Sequence, residues 1–577
     1  MNKTEKIICV LLGGILVWYM FTQKNAPKPQ QQPVAPETVA TSAAVQNPAQ
    51  DNAAVQNPAQ YSAPLSQTPQ TPEETVVLEN DELRLELSSW GGVVKKATLK
   101  KYAQNEGDVG EDNPSVEFDF SASKLGAVRT AGATAIVPYE IAETTPESVT
   151  FSSPAGSRKV TLGANYLVTY EDAKGIFGAL DAKATISVGS MTMGSSKNDL
   201  LSVDSWTEDA KGGKVVHHDE GDSPLKGYLV GGAAGGCSGS KSAAGLPKTA
   251  SVWYPGQEKW VALKNRFFVT ALVSSSVPVS GFNASIERDM TAATYRPREV
   301  SASVALDPAA ADGGTIVSRF YVGPKKQALL WDLGMVDVME FGMWRWICYP
   351  ILWVLNLFNS FIPNYGVAII LLTVLVRLLF WPLTHKSTVG MKKMQEIQPL
   401  MKELQAKYKD NPQRLQQETF ALYRTHKVNP MSSCLPMLIQ IPVFIALFNV
   451  LRSAVELRYA PFLWIGDLSQ PEGLFASWFP FGGLNILPIL MALTMGLQSA
   501  LTPSTGDKNQ QKMMTIFMPV MMLVMFYSFP SALSLYWTLS QAVSIVQMWL
   551  IRRTAAKAAV MPEVIDPVTT RQMRRHG

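Results

Sequence analysis

Arg377 is the residue whose setting most demands a chemical account. It lies in the apolar run Ala-Ile-Ile-Leu-Leu-Thr-Val-Leu-Val-Arg-Leu-Leu-Phe-Trp-Pro-Leu at 368–383. An arginine at the centre of a membrane helix costs roughly 2.5 to 3.5 kcal/mol, so something must offset it. No Asp or Glu occurs in any segment apolar enough to cross a bilayer. An intramembrane salt bridge therefore has no partner, and water in a polar cavity is the remaining solvent. Polar residues at helical spacing could line such a cavity: Thr373 one turn before Arg377, Gln440 in the next apolar segment, and Thr494, Gln498 and Thr502 at i, i+4 and i+8. The last segment adds Ser534, Thr538, Gln541 and Ser544. Together these predict a hydrated groove around Arg377. The alternatives are that Arg377 snorkels to the nearby surface and that the other groups make ordinary interhelical hydrogen bonds.

The same inventory excludes several function classes. Ion-coupled transporters use intramembrane carboxylates, and hydrolytic chemistry needs a general base. No apolar segment contains a histidine, His385 being at a boundary. The chain is therefore expected not to be an enzyme. Cys9, Cys237, Cys348 and Cys434 are far apart and read as free thiols, and the histidines show no metal spacing. No metal or cofactor is expected, and the adjacent His217 and His218 read as part of a solvated loop. A net charge of +4 is too small to argue for nucleic acid.

The elements that must position these residues follow from composition and periodicity. Residues 1–21 carry Lys3 and Lys6 before an apolar run and read as an uncleaved transmembrane anchor. Residues 22–74 are rich in Pro, Gln and Ala, with an octamer at Ala43 to Gln50 repeated at Ala53 to Gln60, and read as a disordered periplasmic linker. Residues 75–330 alternate with period two, as in Leu83, Leu85 and Leu87, and predict an antiparallel sandwich with turns at Gly91-Gly92 and Gly212-Gly213 and a glycine-rich loop at Gly231 to Gly239. Residues 331–363 carry Trp344, Trp346, Trp353 and Phe358 among polar residues and read as an interfacial amphipathic helix.

Residues 364–551 hold five apolar segments, Tyr365 to Leu383, Cys434 to Leu451, Ile486 to Leu501, Met513 to Phe529 and Ala532 to Ile551, each near the ~20 residues that cross a bilayer. Within them, 386–430 reads as a cytoplasmic helical hairpin, its seam at Met394, Ile397, Met401 and Leu404. The methionine-dense segment from Met513 offers an adaptable apolar surface. Residues 552–577 form a basic tail. The positive-inside rule places the basic loop and both termini in the cytoplasm and the sandwich outside. The fold class expected is a polytopic α-helical membrane protein of six transmembrane helices with a large all-β domain.

Several motifs also carry a resemblance. Leu-Thr-Val-Leu-Val-Arg at Leu372 to Arg377, Trp-Pro-Leu-Thr at Trp381 to Thr384, Ala-Leu-Tyr-Arg at Ala421 to Arg424, Phe529-Pro530-Ser531 and Leu535-Tyr536-Trp537 resemble the YidC/Oxa/Alb membrane insertases. Lys259 to Phe268 and Tyr321 to Lys325 resemble the periplasmic domain of the Gram-negative members. The resemblance implies a five-helix insertase core with a groove open to cytoplasm and lipid, a periplasmic β-supersandwich and an extra N-terminal anchor. Arg377 and Thr373 match family groove positions, Tyr536 joins them, and Trp537 stands where many relatives carry a second tyrosine. The implied activity moves nascent spans from the cytoplasm into the bacterial inner membrane. The implied partners are nascent membrane proteins, the Sec translocon, the ribosome and membrane lipids, with no small-molecule substrate. A small-solute transporter and an envelope scaffold anchored by its spans are the competing readings.

Overall fold

The computed structural model describes residues 71–559 apart from 108, 111–112, 131–135, 179–183, 193–200, 210–211, 219–247, 289–296, 312, 410, 427, 429–434, 476–482 and 502–512, all within one compact unit, Pro58–Gly577. The expected anchor, nearly all of the linker, the glycine-rich loop, most of the basic tail, Cys9, Cys237 and Cys434 lie outside the described residues.

Period-two sequence becomes sheet because alternate side chains leave opposite faces. In Leu83–Ser88 the three leucines are fully buried while Arg84 faces out. Leu83 stands opposite Leu99 and Leu85 opposite Ala97, so both strands send their apolar rows to one face. That pairing belongs to a four-stranded meander from Thr75–Glu79 to Ser115–Asp119. A five-stranded sheet is built on Val279–Arg288, Pro297–Leu306 and Ala184–Thr192, and a nine-stranded sheet runs from Gly212–His217 to Glu140–Thr144. Every strand pairing among the described residues is antiparallel.

Gly91 and Gly92 make the expected turn, with φ of 85° and 58° that a side chain would strain. Gly212-Gly213 does not. Both open the strand Gly212–His217, and Gly213 lies where a Cβ would run into the Trp206 ring.

The histidine pair also differs from expectation. His218 is buried, its ring 4.2 Å from Tyr254 and its Nε2 3.1 Å from the Ser205 hydroxyl. His217 Nδ1 lies 3.1 Å from Asp204 and 3.5 Å from Glu340. Partners on the adjacent strand Ser202–Asp209, on the strand Thr249–Pro255 and at Glu340 override the local polarity that suggested a loop. Beside them, buried Lys264 pairs with Asp204 and, at 2.5 Å, with Glu340.

The helical half follows. Helix α1 is Gln327–Asp332 and α2 is Arg345–Phe361. Helix α2 buries Cys348, Ile351, Leu352 and Leu355 at i, i+3, i+4 and i+7 and exposes Trp346, Trp353 and Phe361. Helices α3 (Tyr365–Leu379) and α4 (Trp381–Glu396) meet at a 59° bend. Pro382 enforces the break, since it has no N–H to continue α3 and restricts the residue before it. The apolar run expected to continue to Leu383 therefore stops as one helix at Leu379. Helices α5 (Gln398–Lys407) and α6 (Pro412–Thr425) form a hairpin, with Met394, Ile397 and Val428 in a small core against Met401, Leu422 and Tyr423. The Asn411 side chain caps α6 by accepting from the Arg414 N–H at 3.1 Å.

Helices α7 (Leu435–Ser453), α8 (Ile486–Leu501), α9 (Met518–Phe526, preceded by a π turn) and α10 (Ser531–Ala559) complete the described residues. Among the described residues no single helix is long and apolar enough to cross a membrane, but the bent pair α3–α4 passes together.

Candidate substrate groove around Arg377

Arg377 occupies the last turn of α3, two residues from its end. That position corrects the expectation of a residue well inside a continuous span. The unsatisfied carbonyls of a helix C-terminus carry partial negative charge, which favours a cation there. Its half-buried guanidinium donates through Nε to the Ser540 hydroxyl of α10 at 2.8 Å, and Nη2 donates to the same oxygen. No carboxylate among the described residues pairs with it, and Nη1 has no hydrogen-bond partner there.

Ser540 belongs to one face of α10. Tyr536 precedes it by one turn, Ser544 follows by one turn and Gln547 by two. Gln440 of α7 donates to the Tyr536 hydroxyl at 2.8 Å. Gln547 donates to the Thr384 hydroxyl of α4 at 2.7 Å. Ser544 returns its hydroxyl to the Ser540 carbonyl at 2.9 Å. At ~1.5 Å rise per residue the stripe from Tyr536 to Gln547 is about 16 Å long. It joins the ends of α3, α4 and α7 through neutral polar groups and one cation.

The expected lining is brought together only in part. Arg377, Gln440 and Tyr536 meet on α10. Thr373 is fully buried and gives its hydroxyl to the Ile369 carbonyl at 2.7 Å, so it serves its own helix. Thr494 likewise bonds the Leu490 carbonyl at 2.9 Å, and Thr502 lies outside the described residues. Gln498 is half-buried on α8 and Gln541 half-buried on α10. Trp537 turns away from Ser540 into an aromatic cluster, its ring 4.8 Å from Phe444 and 5.5 Å from Phe526, with Nε1 buried and unpartnered among the described residues. Ser540, Thr384 and Gln547 were missed by sequence reasoning. Thr538 belongs to a different face of α10, toward α8, where its hydroxyl bonds the Ser534 carbonyl at 2.8 Å and reaches the Leu487 carbonyl at 3.5 Å. The spacing of Tyr536, Ser540, Ser544 and Gln547 marks a second polar stripe on α10 in the sequence, but packing alone turns it toward Arg377.

Residues 357–558 match the family described as 60Kd inner membrane protein, and residues 240–354 match the YidC periplasmic domain. A membrane protein insertase YidC of Pelodictyon phaeoclathratiforme is 31% identical over 606 residues, covering 99% of this chain and 98% of the relative. The chain belongs to the YidC membrane protein insertase family. Another YidC insertase, from Syntrophobacter fumaroxidans, is 42% identical over 311 residues, which are 51% of this chain and 54% of that relative. The chain thus spans about half the length of that curated relative. A solved structure described as an active YidC insertase with the first transmembrane domain resolved is 16% identical, covers 85% of this chain and 95% of its own, and has a TM-score of 0.34. YidC proteins form a bacterial inner-membrane family with a periplasmic domain, here the β-rich part of the chain. The family is not an enzyme class.

Proposed function

We propose that this chain inserts nascent polypeptide spans into the bacterial inner membrane, and that clients pass along the surface formed by Arg377 and the Tyr536–Ser540–Gln547 face of α10. One observation carries the reading: Arg377 is anchored by a neutral hydroxyl and by no carboxylate among the described residues. Its charge is held in place without being neutralised, so it is available to an incoming acidic or polar tail. Drawing that tail part-way in shortens the hydrophobic distance it must cross. Apolar client residues then partition into lipid beside the groove. Large apolar side chains exposed on the helices support that lipid contact, among them Leu379, Leu493, Val524 and Trp549.

The reading includes six spans: the N-terminal segment, the α3–α4 pair, α7, α8, the segment containing α9, and α10. Both termini and the α5–α6 hairpin are cytoplasmic, by the basic residues they carry. The β domain of 75–330 is periplasmic, and the helix in 331–363 lies along the membrane surface with Trp346, Trp353 and Phe361 toward lipid. Nascent membrane proteins are the clients, and the Sec translocon and ribosome are the partners of the larger assembly.

The test uses vesicles containing the purified chain and single-span clients with acidic or neutral tails. Arg377→Ala should severely slow insertion of the acidic-tailed client while leaving a measurable residual rate, and Arg377→Lys should retain more of it. Undiminished insertion of that client by Arg377→Ala sinks the attraction mechanism.

A further inference from the structure

The strands Glu258–Lys264 and Phe268–Ser275 are joined by a turn whose shape Asn265 sets. Its side-chain oxygen accepts from the N–H groups of Phe267 at 3.0 Å and Phe268 at 2.9 Å. The next residue, Arg266, is only 9% exposed; its guanidinium lies over the Phe267 ring, 4.6 Å from the centroid, and donates hydrogen bonds out of the β domain. Nε donates to the Arg452 carbonyl and Nη2 to the Ser469 carbonyl, both at 2.7 Å.

Those two carbonyls have a particular place in the helical half. Arg452 is the last residue but one of α7, so its carbonyl is one of the acceptors that a helix leaves unpaired at its negative end. Ser469 lies in the loop whose other carbonyls receive the start of α10. The Ala532 N–H donates to Leu468 at 3.0 Å, and Ser531 donates to Gln470 through its N–H at 2.8 Å and its hydroxyl at 2.6 Å. Asp467 stiffens the loop by accepting from the N–H groups of Ser469 at 2.7 Å and Tyr459 at 3.1 Å. One guanidinium therefore links the end of α7, which carries Gln440, to the beginning of α10, which carries Tyr536 and Ser540.

We propose that Arg266 is a positioning residue for the groove: a cation of the β domain that sets the axial register of α10 against α7 and α3, and so keeps Ser540 against Arg377. Its functional meaning rests on the groove reading above. A misplacement by one residue along α10 moves Ser540 by ~1.5 Å and turns it about 100° off the face, which is enough to lose Arg377. The β domain touches the same loop elsewhere without holding a helix end. Arg458 donates to the carbonyls of Ala103 at 2.7 Å and Gln104 at 3.2 Å, so it ties the domain to the loop through a different side chain. That contact supplies a control.

The experiment uses the full chain in lipid nanodiscs, with native cysteines replaced by alanine and spin labels on Leu378→Cys of α3 and Val546→Cys of α10, both exposed positions. Pulsed electron paramagnetic resonance reads the distance between them without any client. Arg266→Ala should shift or broaden the distance distribution by ~1.5 Å or more, one residue's rise along a helix. Arg266→Lys, which keeps the charge and reaches one carbonyl at a time, should restore most of the narrow distribution, and Arg458→Ala should leave it as in the parent. Should Arg266→Ala fail to fold, Arg266→Gln, which keeps a donor and loses the charge, takes its place. A parent-like distribution in Arg266→Ala or Arg266→Gln overturns the proposal, as does equal broadening in Arg458→Ala or no recovery in Arg266→Lys. Because no client is present, this result is separable from the failure of the insertion mechanism itself.

Discussion

Removing the Ser540 hydroxyl tests whether Arg377 must be held, and not merely present. The Ser540 oxygen accepts from both Nε and Nη2, so Ser540→Ala strips the guanidinium of its only hydrogen-bond partner among the described residues. Hydrogen bonds to charged groups contribute about 1.5 to 3 kcal/mol net when buried. Arg377 is only half-buried, and water replaces part of the loss, which discounts the figure to about 1 kcal/mol. If the position of the guanidinium limits insertion, the rate for an acidic-tailed client falls roughly fivefold. Arg377→Ala should cost far more, and the double variant no more than Arg377→Ala alone, because Ser540 acts only through the arginine. The assay is the initial rate of protease-protected client in vesicles, measured for all four corners of the cycle with acidic-tailed and neutral-tailed clients. A fivefold loss from Ser540→Ala that persists in the Arg377→Ala background would refute the reasoning, since the hydroxyl would then be acting without the guanidinium. So would a rate within twofold of the parent in the single variant.

Two further expectations concern the β domain, read by urea unfolding of the detergent-solubilised chain. Lys264→Met leaves fully buried Asp204 without its ammonium and should cost about 3 to 5 kcal/mol, with Asp204→Asn in the same chain recovering much of it; additive losses would contradict the pairing. Burial holds the His218 imidazole down to about 4, against an ordinary value of 6.5, so the unfolded chain takes up that proton first and the contribution to stability falls as pH drops from 6.5 toward 4. Between pH 7 and 5 the loss works out at about 2 kcal/mol and should vanish in His218→Phe. Its neighbour His217 has the opposite sign: burial would lower its pKa, but Asp204 beside it raises the value overall, so its contribution is present at low pH and lost as pH rises. Equal pH dependence in the parent and His218→Phe would remove His218 as the source.

What was legible in the sequence divides along physical lines. Strand alternation is local, and the buried row Leu83, Leu85 and Leu87 could be read from three residues. The isolation of Arg377 was legible because it depends on residues that are missing. Facing was not legible: α10 carries one polar stripe through Thr538 and another through Ser540, and only packing decides that the second meets Arg377. Non-local charge was hidden too, since His217, Asp204, Lys264 and Glu340 come from four separate segments. The break after Leu379 was written in Pro382, yet hydropathy runs smoothly through it. That break alters the energetics of the site. A continuous span would bury Arg377 in mid-helix, where every neighbouring carbonyl is already bonded. Ending α3 two residues after Arg377 instead leaves the residue in the last turn, where the partial negative charge of a helix C-terminus favours a cation, while the hydrogen bonds of the guanidinium go to Ser540. The arginine is then stabilised by dipoles and a hydroxyl, none of which cancels its charge. A cation held by neutral groups at a helix end is tolerated in a largely apolar setting and still attracts an anion, and the candidate groove combines those two properties at Arg377.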